Sequence, residues 1–429
     1  MTDSAHRETV RHTPDEGVRR AVAAVWRIES AKIVATLTRV VGDFGLAEDL
    51  AQEALLDALR QWPVEGVPRN GAAWLTAVAK RKAIDGWRRR ERLDDRMAVL
   101  AHDLEREQAD AADAPPWDPD AVDDDVLRLI FISCHPVLSR EAQVALTLRV
   151  VGGLSSEEIA RAFLVPTATV QQRIVRAKKT LGAAQVPFEM PPREEHAERL
   201  GAILGVLYLI FNEGHAASSG PDWMRPELSI EAIRLTRVLA ALMPRERDVH
   251  SLLALMELTA ARFPARIDAH GEPVLLSDQD RRRWDRSRIA RGRAALAAAD
   301  ALGSGRGPYG LQAGIAECHA TAASVDDTDW ERIVLLYEAL GRIAPSPVVE
   351  LNRAAAVAMA TGPASALQII DRLGASGALA GYHLLPATRG ELLLRLGRAE
   401  EARSEFAVAA ALAGNDRERA LLQAKVDAR

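Results

Sequence analysis

The sequence predicts an all-α protein, and three observations carry that prediction. Alanine, leucine and arginine abound while aromatic residues make up 4%, a composition that favours helices. Nearly every readable segment repeats its apolar residues at helical spacing. Between those segments stand short Gly- and Pro-bearing breaks such as Gly42-Asp43-Phe44-Gly45, Trp62-Pro63 and Gly152-Gly153, which punctuate a helical chain. At 429 residues, two to four domains are expected.

The first helix is marked by a stripe of Val22, Val25, Trp26, Ile33, Leu37 and Val40. After the Gly42–Gly45 break a second helix runs from about Leu46 to Arg60 and stops near Trp62-Pro63. Asp49, Gln52 and Glu53 lie on one polar, acidic face of it at i, i+3 and i+4, while Leu50, Ala54 and Ala58 line another. By itself that polar face reads as solvated. A third helix carries Leu75, Ala79, Ala83 and Trp87 at steps of four, with basic residues filling the gaps. One side can pack while the other meets a polyanion. Its indoles lie among cations, which points to nucleic acid whose bases are at least partly exposed.

Charge is segregated along the chain. The whole protein is mildly acidic at a net charge of −5, so nucleic-acid binding must live in local patches. Between Lys80 and Arg92 stand seven basic and two acidic residues; between Asp94 and Asp125 stand two basic and twelve acidic. The acidic stretch contains Ala114-Pro115-Pro116-Trp117-Asp118-Pro119 and little apolar periodicity. It reads as a linker over 94–125, partly disordered. It is either a solvated spacer or an acidic strand that threads a partner's basic channel.

The clearest motif is LSSEEIARAFLVPTATVQQRIVRAKKTL, Leu154 to Leu181. Ser155 and Glu158 fit a capping box that starts a short helix. Leu164-Val165-Pro166 is the turn, and Thr167 is placed to cap the next helix. There Val170, Ile174, Ala177 and Leu181 share one face. Thr169, Gln171, Gln172, Arg173, Arg176, Lys178 and Lys179 are the candidates for contact with DNA. Arg161 to Thr180 holds five basic residues and no acid. Gln suits adenine edges, Arg suits guanine, and Lys suits phosphate. This is a helix-turn-helix with a recognition helix.

The rest of the chain begins after Pro187 and Pro191-Pro192. Toward its end the turns at Gly362-Pro363 and Leu396-Gly397 stand 35 residues apart (397 minus 362), near the tetratricopeptide period of about 34. An irregular stack of helical hairpins fits as well. Cys134 and Cys318 are each followed by a histidine, but neither has a second ligand at zinc-finger spacing, and two cysteines make no disulfide framework. No metal and no cofactor is expected. The N-terminus is polar and the apolar run Leu200 to Phe211 is too short to span a bilayer. A cytoplasmic protein that does not bind membranes follows.

In order, AEDLAQEALLDAL, then WLTAVAKRKAIDGWRRRER, then the helix-turn-helix after an acidic linker resemble an extracytoplasmic-function sigma factor of bacterial RNA polymerase, over roughly residues 18–184. The resemblance implies a region 2-like module over 1–93 and a region 4-like module over 126–185. It implies that Asp49, Gln52 and Glu53 dock on the clamp helices of the polymerase largest subunit. Lys80, Arg81, Asp85, Trp87, Arg88 and Arg89 would melt and read the minus-ten element, and the recognition helix would read the minus-thirty-five element. The family often has Asn where this chain has Lys80, which adds charge and loses an amide. LYLIFNEGHAASSG, LLSDQDRRRWDR, Thr328 to Trp330 and SPVVELNRAAAVA are similar to a subgroup with a long C-terminal helical extension, here 186–429.

The expected partners are core RNA polymerase, promoter DNA, and a regulatory protein or small effector at the extension. An enzyme is not expected. Asn212, Glu213 and His215, and Asp278, Asp280 and Trp284, form two polar blocks, but no nucleophile elbow, phosphate loop or HExxH accompanies them. Capping and interhelical bonding fit these groups better; a groove for a peptide or small effector is a further reading. The competing function is a helix-turn-helix regulator that acts on duplex DNA without polymerase. The Trp74–Arg90 segment separates the two, because a duplex-only regulator has no use for it.

Overall fold

The computed structural model describes residues 14–90, 119–163, 165–216, 223–268 and 272–427. Within them the chain is helical, as its composition predicts, with an isolated β bridge between Ile267 and Pro273. Two compact units form. Residues up to 206, except 162–164, make the first, and the others make the second.

In the first unit, α1 (Pro14–Val41), α2 (Phe44–Glu65) and α3 (Gly71–Arg90) pack together. Of the expected stripe on α1, Val22, Trp26, Ile33 and Leu37 are buried, and Val25 and Val40 are half-buried. Gly42 takes φ +72°, and Asp43 caps α2 by accepting the Leu46 N–H at 2.7 Å. Leu50, Ala54 and Ala58 are buried on α2 as expected. The predicted stop near Pro63 is too early. Pro63 lies inside α2, which runs to Glu65 and ends on Gly66 at φ +88°. Buried Trp62 holds the last turn inward, and its carbonyl accepts from the Gly66 N–H at 3.0 Å. Asn70 then caps α3 through the Ala73 N–H at 3.0 Å.

The linker expectation falls for 94–118 outside the described residues. From Pro119 the chain is helical, as α4 (Pro119–Ser133), which packs on α1. Asp125 is fully buried at their contact, 2.9 Å from Arg39 and 2.5 Å from Arg128. The short helix α5 (Arg140–Leu146) passes into a π-helical turn, Thr147–Val151. Next come α6 (Ser156–Phe163) and α7 (Thr167–Ala183). Helix α8 (His196–His215) follows. The unit thus takes in residues 186–206, which the sequence assigns to the extension.

The second unit stacks helices: α9 (Pro226–Leu242), α10 (Arg247–Ala260), α11 (Arg286–Ala301) and α12 (Pro308–Thr321). After them come α13 (Trp330–Ile343), α14 (Pro347–Ala360), α15 (Pro363–Ser376), α16 (Leu384–Arg395), α17 (Ala399–Leu412) and α18 (Asp416–Asp427). Neighbours in sequence pack on one another, as in a stack of hairpins. The two turns 35 residues apart take left-handed backbone at Gly362 (φ +112°) and Gly397 (φ +76°). At Gly390 a Cβ would sit 2.7 Å from the ring of buried Phe406. Gly390→Ala is therefore expected to destabilise the second unit by about 1–3 kcal/mol through overpacking, read as a lower midpoint in chemical denaturation.

Candidate nucleic-acid interface

The capping box forms in full. The Ser155 N–H donates to Glu158 Oε2 at 2.7 Å, and the Glu158 N–H donates to Ser155 Oγ at 3.1 Å. Glu158 also pairs with Arg27 of α1 at 2.9 Å. Thr167 does not cap α7. Pro166 holds the cap position, and its carbonyl accepts from the Thr169 N–H at 2.9 Å. Proline fixes the φ needed there, so the helix starts without a side-chain acceptor.

On α7 the predicted inner face is the real one: Val170, Ile174, Ala177 and Leu181 are buried. Gln171, Gln172, Arg176 and Lys179 are exposed on the other side, and Thr169 and Arg173 are half-buried. Arg173 is near Glu141, whose carboxyl is held below the usual range by its own backbone N–H, then by Ser139, with Arg173 adding to the pull.

Lys178 departs from the surface pattern. Its ammonium bonds Glu48 and lies 2.7 Å from Asp49, both on α2. Glu48 is 3% exposed and also faces Arg149 of the π-helical turn at 3.4 Å. Burial would lower the Lys178 pKa, but Glu48 and Asp49 outweigh it and the net shift is upward. Lys178 and Asp49, assigned from sequence to DNA and to polymerase, are thus bonded to each other in the free chain. Glu48 was missed because a lone Glu beside an apolar stripe looks solvated, and its partners stand about a hundred or more residues away.

On α2, Asp49 and Glu53 are exposed and Gln52 is half-buried. Glu53 and Asp57 both hold Lys82 of α3, at 3.2 and 2.9 Å, and raise its pKa, Asp57 most. On α3, Leu75, Ala79 and Ala83 are buried, joined by Ile84. Arg81 and Asp85 are exposed and Lys80 is half-buried. The side chains of Trp87, Arg88 and Arg89 lie outside the described residues. Trp74 is half-buried. It packs edge-on against Trp62, with ring centroids 5.5 Å apart.

In the second unit the polar blocks largely cap and bond, as expected. Glu213 accepts from buried Arg225. Asp280 accepts from the Arg282 N–H at 3.0 Å. His215 stacks on both Phe211 and Phe263, with centroids 5.9 and 5.8 Å away, in a three-ring cluster whose phenyl rings are 6.5 Å apart. Asp278 is exposed. His319 packs edge-on against Trp330 and is pushed down to about 3, first by burial and then by Arg262 and Arg281. A histidine held neutral in the fold but free to protonate when unfolded costs stability as pH falls through its unfolded pKa. The loss begins near pH 6.5 and ends near 3. Allowing for partial exposure of the ring, about 2 kcal/mol is expected to be lost between about pH 7 and about pH 4.5. Urea titrations across that window check it, with His319→Gln flattening the slope.

These elements define a class: a helical DNA-binding protein in which a helix-turn-helix with a basic outer face is packed beside a module bearing its own basic helix. Sigma-70 region 2 matches residues 28–93 and sigma-70 region 4 matches residues 128–181. A family of unknown function (DUF6596) matches residues 199–300. An uncharacterized protein of Rhizobium meliloti (strain 1021) is 45% identical over 397 residues, 91% of this chain and 92% of its own length. The RNA polymerase sigma-H factor of Pseudomonas aeruginosa is 32% identical over 161 residues, 37% of this chain and 82% of its own. The probable ECF RNA polymerase sigma factor SigI of Mycobacterium tuberculosis is 30% identical over 177 residues, 40% of this chain and 58% of its own. No solved structure matches the chain. The chain belongs to the sigma-70 family, as an extracytoplasmic-function RNA polymerase sigma factor with a C-terminal helical extension. Such proteins are initiation factors and not enzymes, and their two modules imply binding to core RNA polymerase and promoter DNA. Among the described residues no helix is long and apolar enough to cross a membrane, and no cluster of His, Cys, Asp and Glu could hold a metal ion.

Proposed function

We propose a division of labour in initiation. The 1–93 module docks core polymerase through Asp49, Gln52 and Glu53 and opens the minus-ten element with Lys80, Arg81, Asp85, Trp87, Arg88 and Arg89. The 126–185 module reads the minus-thirty-five element with Gln171, Gln172, Arg173 and Arg176, while Thr169, Lys178 and Lys179 hold its phosphates. The 186–429 extension regulates the two, through a protein or small effector, in the cytoplasm. One observation supports this reading most: α7 buries one face completely and leaves Gln171, Gln172, Arg176 and Lys179 exposed on the other, as a helix lodged in a major groove needs.

The Lys178–Glu48–Asp49 contact adds a requirement. Lys178 and Asp49 cannot serve DNA and polymerase while bonded to each other, so the free chain is closed and must open on the polymerase. Permanganate footprinting of holoenzyme on promoter DNA tests the assignment of α3. Arg81→Ala with Trp87→Ala is expected to abolish reactive thymines at the minus-ten element and to keep protection at the minus-thirty-five element. Loss of both together would contradict separate roles.

A further inference from the structure

In the second unit one buried acid serves several partly exposed arginines. Glu257, 1% exposed, is shared by Arg237, Arg288 at 3.1 Å and Arg291 at 3.2 Å. Just beyond the end of the same helix the arrangement differs. Among the described residues no carboxylate pairs with Arg262 or Arg266. Arg266 is 7% exposed and donates to the ring and carbonyl of His215, the carbonyl at 2.8 Å. His215 is pushed well below its ordinary value, first by burial and then by Arg266 and Arg262. It is a neutral neighbour and balances no charge. Arg262 has one side-chain bond, to Gln279 Oε1 at 3.3 Å. Its guanidinium lies 5.6 Å from the centre of the Trp284 ring, and Arg281 lies 4.9 Å from the same ring. Arg281 is already committed. It donates to the carbonyls of His319 and Ala322 at 2.7 and 3.0 Å and to Thr328 Oγ1 at 3.1 Å. Trp284 is 2% exposed, and its Nε1 has no hydrogen-bond partner.

Burial, with repulsion from Arg281, lowers Arg262 to about 10, and burial, with repulsion from Arg262, lowers Arg266 to about 9, so both remain charged at neutral pH. Buried Arg266 and half-buried Arg262 have no counter-charge among the described residues, an arrangement that is costly and calls for a partner. Arg262 remains partly exposed, so the partner can come from solution. Guanidinium forks match carboxylate and phosphate oxygens two at a time. We propose that Arg262 and Arg266, with the Trp284 Nε1–H as a neutral donor, form a binding site for a small oxyanion-bearing ligand, a carboxylate or a phosphate.

The site belongs to the second unit, and its test is direct binding to the full chain, whatever the outcome of transcription assays. Isothermal titration with inorganic phosphate, and separately with malonate, is made at constant ionic strength against a chloride control. Saturable binding at millimolar or lower concentration is expected for at least one, and the stronger arm identifies the source. Arg262→Gln is expected to weaken it about tenfold or more, while Arg417→Gln, an exposed arginine paired with Glu272, leaves it unchanged. Arg262→Met without ligand is expected to melt no lower than the native chain, because it removes an unbalanced charge. Absence of saturation with both anions, or equal affinity in Arg262→Gln, would overturn the site. So would a lower melting point in Arg262→Met together with unchanged anion binding, which would make the arginine structural.

Discussion

Replacing Arg173 and Arg176 together by alanine is expected to cut promoter-specific initiation at least about thirtyfold while core-polymerase binding stays intact. A good side-chain contact to a base edge is worth about 1–3 kcal/mol, so the loss of two comes to about 2 kcal/mol at the low end, or about thirtyfold. Arg176 carries the larger share. It is exposed on the outer face of α7, whereas Arg173 is half-buried and near Glu141. The substitutions leave the packed face of Val170, Ile174, Ala177 and Leu181 untouched, so the helix stays folded. Run-off transcription and a polymerase pull-down, done on the same preparations, separate the two effects. Equal loss in both would sink the assignment of this face to DNA.

The second large effect is expected at the buried cluster that joins α7 to α2. Lys178→Met leaves Glu48, 3% exposed, with only Arg149 at 3.4 Å. Breaking a buried pair by removing one partner costs about 3–5 kcal/mol. The remaining arginine reduces that to about 2–4 kcal/mol of stability in the free chain. The same substitution frees Asp49. If docking on the polymerase needs that carboxylate, Lys178→Met should bind core polymerase more tightly per folded molecule while being less stable alone. A double-mutant cycle with Glu48→Gln should show strong coupling, because the single losses share one contact. Additive losses would mean that the cluster does not hold the two modules together.

The legible parts of the fold are those written locally. The Ser155–Glu158 box is fixed by two residues three apart, and both of its bonds form. The stripes of α1 and α7 name their buried faces because a helix repeats every 3.6 residues. What escaped is non-local. Spacing shows that Lys178 flanks the packed face of its own helix, but not that Glu48, 130 residues earlier, waits there. Trp74 looked like a free platform among cations because nothing local reveals Trp62 beside it. Nothing within Arg281-Arg282-Arg283 separates its members, yet Arg281 is buried and turns inward to the carbonyls near the end of α12, while its two neighbours are exposed. The Pro63 break failed for a related reason: tertiary burial of Trp62 carries α2 two residues past the proline.

Reconstituted transcription tests the central claim most directly. Purified chain and core RNA polymerase, with a promoter fragment selected by the holoenzyme, are compared with each protein alone. The account predicts a specific run-off transcript only when chain and core are combined, with weak promoter binding by the chain alone because each module holds little by itself. Tight, sequence-specific duplex binding by the chain alone, with no transcript when core is added, would contradict it and favour a regulator that acts without polymerase.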